Sequence, residues 1–164
     1  MIISKNDFDL KRVKLIIWDL DNTFWKGTIS EGPITMIENH INLVKELANR
    51  GIVCSICSKN NYEECRDVLQ KADIWDHFVF PSIDWSPKGA RVFQIIQDMK
   101  LRPDNTLFLD DEPANLQHAV LQNNRLICGT IQELSRYRTT RMTIICKKEK
   151  CTGCTAYLNE CPMI

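Results

Sequence analysis

The stretch Val13-Lys-Leu-Ile-Ile-Trp18-Asp19-Leu20-Asp21-Asn22-Thr23 decides the fold. A β-rich apolar run ends abruptly in two acids two residues apart. A short run of this kind, with Ile and Val in it, reads as a strand buried on both faces, as in a parallel sheet. Acids at the end of such a strand sit on the carboxyl edge of the sheet, where open α/β folds bind ligands. The bland alternative is a turn that happens to be acidic.

The chain outward from this stretch repeats the alternation. Ile37, Ile41, Val44, Leu47 and Ala48 recur at helical spacing, and Gly51 follows as a C-terminal stop. Ile52–Cys57 reads as a second strand, followed by the loop Ser58-Lys-Asn-Asn61. Asn61 and Glu64 form a capping pattern for a helix to about Lys71. His77–Phe80 reads as a short strand closed by Pro81, and Lys88 to Lys100 as a helix. Thr106–Leu109 is a buried strand ending in Asp110-Asp111. Glu112-Pro113 opens another helix, Leu126-Ile127 forms a last short strand, and Thr130 with Glu133 caps a final helix. The fold class is therefore α/β, a Rossmann-like central parallel sheet flanked by helices. Residues 1–140 form the domain, and 141–164 a cysteine-rich tail.

The 164 residues carry 21 basic and 21 acidic side chains, and 44% are apolar. A balanced charge argues against a general grip on nucleic acid or anionic membrane. No run reaches the 18 or so apolar residues a membrane span needs. The start, with its early acids, does not fit a secretory signal, so the expected compartment is the cytoplasm and the thiols are expected reduced.

Three later residue groups belong with Asp19 and Asp21. The hydroxyl of Ser58 follows the second strand onto the same sheet edge. Lys88, at the start of its helix after Trp85-Ser-Pro87, can return its ammonium there. Asp110-Asp111 closes a further strand, and adjacent acids need a cation to offset them. An aspartate at this edge can attack phosphorus, and a second can protonate the leaving oxygen. Up to four carboxylates at one place call for a hard divalent ion such as Mg²⁺. Ser58 and Lys88 would then hold phosphoryl oxygens.

This ordered set, Asp19-Leu-Asp21-Asn-Thr23, Ser58, Lys88 and Asp110-Asp111, resembles the haloacid dehalogenase superfamily over roughly residues 13 to 128. Asp-Leu-Asp-Asn-Thr-Phe-Trp25-Lys-Gly-Thr-Ile-Ser-Glu-Gly32, Ile56-Cys-Ser-Lys-Asn-Asn61 and Phe108-Leu-Asp-Asp-Glu-Pro-Ala-Asn115 look like its FkbH-like subfamily, in the branch of small magnesium-dependent phosphatases. The resemblance implies a Mg²⁺-dependent phosphatase or phosphotransferase with Asp19 as nucleophile and Asp21 as general acid/base. It implies phosphate contacts from Ser58, Lys88 and Asn22. The Mg²⁺ site would comprise Asp19, the backbone carbonyl of Asp21, and Asp111, with Asp110 orienting Lys88 or a metal-bound water. FkbH-like proteins help place a glyceryl unit from a bisphosphoglycerate on an acyl carrier protein, a reading that would need Cys57 exposed to the site, where it could carry a thioester. Their additional domains and this tail do not correspond. A non-catalytic interaction module that retains the old site is a further alternative.

Only 36 residues separate Asp21 from Ser58, and a helix fills much of that span. No large cap fits there or between Ser58 and Lys88. An open site is expected, with Phe24–Ile29 as its flap, suited to a phosphorylated small molecule or to a carrier-bound or protein substrate. Trp25 either lines the mouth or anchors the flap. Trp18, Trp75 and Trp85 are expected in or near the core, and His40, His77 and His118 as surface or packing residues.

Four of the eight cysteines lie in the last 19 residues. Cys146, Cys151, Cys154 and Cys161 are spaced to offer four thiolates to Zn²⁺. An iron–sulfur site or no metal at all are the other readings. Cys54, Cys65 and Cys128 read as packed thiols, and so does Cys57, whose side chain should face away from that of Ser58.

Overall fold

The computed structural model describes residues 12–135. In chain order the elements are β1 (Leu15–Trp18), β2 (Trp25–Lys26), β3 (Thr35–Met36), α1 (Glu38–Asn49), β4 (Val53–Ser58), α2 (Tyr62–Lys71), β5 (Ser82–Ile83), α3 (Lys88–Asp98), β6 (Thr106–Leu109), α4 (Pro113–Gln122) and β7 (Ile127–Gly129). A compact unit extends to Ile131. The four tail cysteines lie outside the described residues; of the expected final helix, residues 131–135 are described and are helical. No helix among the described residues is long and apolar enough to cross a membrane.

The five main strands form one parallel sheet in the order β5-β4-β1-β6-β7. The opening stretch is its centre: β1 pairs with β4 (Leu15 opposite Val53) and with β6 (Leu15 opposite Thr106). All four β1 residues are buried, as a strand covered on both faces requires. Alternation divides its side chains. Leu15 and Ile17 pack with Cys57, Phe108 and Cys128 against Val92, Ile95 and Ile96 of α3 and Ala119 of α4. On the other face Trp18 meets Phe24 edge-on at 5.4 Å, and Phe24 meets Phe78 at 5.6 Å. The His40 ring of α1 lies 5.8 Å from Trp18, and its Nδ1 is 2.8 Å from the Phe24 carbonyl oxygen. Burial holds its pKa below the ordinary histidine value. It is thus a packing residue.

Helices α3 and α4 approach closely at Gly89. A Cβ there would come within 2.8 Å of Gln122 Oε1 and 3.1 Å of the His118 carbonyl oxygen. The buried Asn123 amide closes this junction, donating to the Gly89 carbonyl at 3.3 Å and to that of Ala119 at 3.0 Å.

Two expectations are corrected. The strand expected at His77–Phe80 is not there. Trp75–His77 is a 3₁₀ turn, Phe78 makes an isolated bridge to Cys54, and β5 begins at Ser82. Phe80 takes a left-handed conformation (φ 53° and 47° mark Asp73 and Phe80), and Pro81 has no N–H for a ladder, so the extended run breaks at this pair. Trp85 is 65% exposed rather than packed in the core, because it lies in the loop between β5 and α3. Trp18 is buried, and Trp75 is half-buried against Tyr62, with the rings edge-on at 5.7 Å.

Candidate active site

The parallel register delivers the predicted residues to one sheet edge. Asp19 follows β1, and its N–H donates to the Leu109 carbonyl of β6 at 2.9 Å. Ser58 ends β4, Asp110 follows β6, and Lys88 is the first residue of α3. All four are buried.

Asp19 is the centre. Its Oδ1 accepts from Ser58 Oγ at 2.8 Å and pairs with Lys88 Nζ at 2.8 Å. Lys88 Nζ also reaches Asp110 Oδ2 at 2.7 Å. One ammonium is thus shared by two buried carboxylates. Burial pushes the Asp19 carboxyl up to about 6, with Asp110 adding to the rise and Lys88 opposing it. Burial works against the charge of Lys88, yet the two carboxylates outweigh it and its pKa is raised. Asp111 is exposed, and its carboxyl is also raised by desolvation and by Asp110.

Asp19, Asp110 and Asp111 each offer a carboxylate oxygen, and these atoms lie within 4.8 Å of one another. A set of hard oxygen donors fits Mg²⁺ or a similar divalent ion rather than a soft metal. The three differ in how far they are already engaged. Both oxygens of Asp110 have partners: Oδ2 has Lys88, and Oδ1 accepts from the Glu112 N–H at 2.8 Å and from Asn115 Nδ2 at 3.2 Å. Asp111 accepts a long contact from Thr23 Oγ1 at 3.5 Å and a hydrogen bond from its own backbone N–H. Asp19 and Asp111 are therefore the freer pair.

Asp21 is held differently. Its Oδ1 accepts from the Trp25 indole Nε1 at 2.9 Å and the Ile29 N–H at 3.2 Å, and its Oδ2 from Asn60 Nδ2 at 3.0 Å. The chain folds back for this because the N–H groups of Phe24 and Trp25 both donate to the Leu20 carbonyl, at 2.9 and 3.2 Å. Trp25 is fully buried and so anchors the flap rather than lining the mouth. The flap is a small antiparallel pair, with Trp25 opposite Met36. Asn22, left-handed at φ 53°, closes its first turn. Its Oδ1 accepts from the Gly27 N–H at 3.0 Å, and its own N–H donates to the Gly27 carbonyl at 3.2 Å.

Two contributors escaped the sequence reading. Asn60, 1% exposed, donates to Ser58 Oγ at 3.1 Å as well as to Asp21. Buried Arg91 donates to the carbonyls of Ser58 (3.1 Å), Ser82 (2.8 Å) and Ser86 (2.9 Å), tying β4 to the loop before Lys88. An arginine three residues along a helix from Ser86-Pro-Lys88 carries no signal of this kind in sequence.

Cys57 faces the core opposite Ser58, as the strand alternation predicts, and is fully buried. Burial pushes its thiol up to about 12. Cys54, Cys65 and Cys128 are likewise buried and raised to about 12. A buried thiol that holds its proton is a poor acyl carrier, which weighs against a thioester at Cys57.

The architecture matches known structures. The phosphatase-containing N-terminal part of a Bacteroides fragilis protein, complexed with Mg, superposes with a TM-score of 0.65 at 22% identity, over 75% of this chain and 39% of that one. A subfamily IA hydrolase of the haloacid dehalogenase superfamily from Geobacter sulfurreducens gives 0.60 at 9% identity, covering 73% and 87%. This is the haloacid dehalogenase-type fold. The cobalt-bound deoxy-D-mannose-octulosonate 8-phosphate phosphatase of Haemophilus influenzae gives 0.58 at 16% identity, covering 73% and 70%. The chain thus spans well under half the length of the Bacteroides chain. The sequence matches no protein-family model and no curated protein.

Proposed function

We propose that the protein is a divalent-cation-dependent phosphatase or phosphotransferase acting on small phosphate monoesters through an aspartyl-phosphate at Asp19. The observation that carries this reading is the buried Asp19 carboxylate, with Ser58 and Lys88 both on Oδ1 and two further carboxylates beside it. The phosphatases of like fold, two of them solved with Mg or cobalt, support the same class of substrate and cofactor.

In this reading an Asp19 carboxylate oxygen attacks phosphorus as the bond to the leaving oxygen breaks, and Asp21 gives that oxygen a proton. Asp21 then takes a proton from a water, whose oxygen attacks the same phosphorus. The bond to Asp19 breaks and inorganic phosphate leaves. If an alcohol replaces the water, the reaction is phosphoryl transfer. Ser58 and Lys88 hold phosphoryl oxygens as charge shifts among them, and the Nδ2 of Asn22 is available to a further one. Asp110 aims Lys88. Asp19, Asp111 and the carbonyl of Asp21 would hold Mg²⁺, which supplies neutralisation of the phosphate charge so that an anionic nucleophile can approach.

The test is hydrolysis of 4-nitrophenyl phosphate and a panel of sugar phosphates with and without Mg²⁺, by wild type and Asp19→Asn. Mg²⁺-dependent turnover is expected in the wild type alone, with unchanged circular dichroism in the variant. Equal turnover by the variant would overturn the mechanism.

A further inference from the structure

Asn60 and Asn61 are neighbours with separate tasks. Asn61 caps α2, its Oδ1 accepting from the Glu64 N–H at 3.2 Å. Asn60 turns inward to 1% exposure. A buried amide is costly unless its hydrogens are used. The one nitrogen of Asn60 has two, directed to Asp21 Oδ2 at 3.0 Å and Ser58 Oγ at 3.1 Å. Ser58, accepting from Asn60, is left to donate its own hydrogen to Asp19 Oδ1 at 2.8 Å. The direction of every hydrogen bond from Asn60 to Asp19 is thereby fixed.

The other oxygen of Asp21 is held by the flap, through the Trp25 indole and the Ile29 N–H. Asp21 is therefore clamped between two pieces of chain far apart in sequence. The flap alone would leave the carboxylate free to swing about its Oδ1 contacts. Asn60 is the donor that fixes the second oxygen.

We infer that Asn60 is a positioning residue: its amide holds Asp21 in place for proton delivery while setting the Ser58 hydroxyl on Asp19. The inference rests on the proposed acid/base role of Asp21. A misplaced acid matters most where the leaving oxygen needs a proton, as in an alkyl phosphate, and least for 4-nitrophenyl phosphate, whose anion departs unaided.

The experiment compares wild type with Asn60→Ala and the near-isosteric Asn60→Asp, which keeps the shape but loses the amide hydrogens. Two readouts are taken. In NMR, the Trp25 indole N–H is expected to exchange with solvent faster in both variants, because its acceptor is no longer fixed. In kinetics, kcat/KM, which reports the half-reaction that releases the alcohol, is expected to fall about 10- to 100-fold on an alkyl phosphate and by a much smaller factor on 4-nitrophenyl phosphate. In an Asp21→Asn background the Asn60 substitutions are expected to add little further loss. Equal losses on both esters, or an unchanged indole exchange rate in a folded variant, would overturn the inference. If the wild type hydrolyses neither ester, the phosphatase reading fails, and the indole exchange alone still decides whether Asn60 holds Asp21.

Discussion

Asp19 and Asp21 are two residues apart, yet they sit in different environments. Asp19 belongs to the floor of the site, where three parallel strands end and Lys88 lies between buried carboxylates. Asp21 belongs to the flap, tethered by an indole, a backbone N–H and a side-chain amide. The floor concentrates charge in a place poor in water. The flap fixes a direction with neutral donors. In the proposed mechanism an attacking group and a proton carrier need different surroundings, and one turn of chain after β1 would provide both.

The sharpest way to break the floor is Lys88→Ala. It leaves Asp19 and Asp110 buried without their shared cation. A loss of roughly 3–5 kcal/mol in stability is expected, measured by urea unfolding in EDTA, together with loss of turnover. A loss below about 1 kcal/mol would mean that the ammonium does not balance these carboxylates.

A second test concerns the floor alone. The Asp19 carboxyl, raised to about 6 by burial, has a folded pKa above its unfolded one. Its contribution to stability is therefore full below the unfolded value and is lost as pH rises toward 6. At neutral pH the metal-free floor carries this penalty, and a divalent cation bound as proposed would relieve it. Mg²⁺ at about 100 times its Kd should add about 2.7 kcal/mol, seen as a raised Tm at pH 7.5. The gain should shrink as pH falls through 6, where a proton competes for Asp19. A Mg²⁺-induced shift that grows on acidification would contradict this.

The smallest effect is expected where the sheet faces its core. Cys54, Cys57, Cys65 and Cys128, with thiols near 12, should resist iodoacetamide at pH 8 in the folded protein and react once it is unfolded. Peptide mapping by mass spectrometry checks this. Fast native labelling of Cys57 would reopen the thioester reading.

The floor was legible in the sequence because its residues are tied to strand ends. Once β1, β4 and β6 are read as neighbouring parallel strands, Asp19, Ser58 and Asp110 must share an edge, and Lys88 lies one short loop beyond β5. The contributions of Asn60 and Arg91 were not legible. Both act through contacts set by tertiary closeness, Asn60 across 39 residues to Asp21 and Arg91 across 33 to Ser58. In sequence the first is one more turn asparagine and the second one more helix cation. The region before β5 misled for a local reason. His77-Phe-Val-Phe80 has strand composition, but a 3₁₀ turn occupies its start and the Phe80–Pro81 pair breaks its end.

The central claim is covalent, and it can be read directly. Borohydride added during turnover of a phosphate ester with Mg²⁺ reduces an acyl phosphate to an alcohol, and peptide mapping then locates it. Homoserine is expected at position 19, dependent on substrate and absent in Asp19→Asn. Sustained Mg²⁺-dependent turnover with position 19 unmodified, under conditions that trap a known aspartyl-phosphate enzyme, would contradict it.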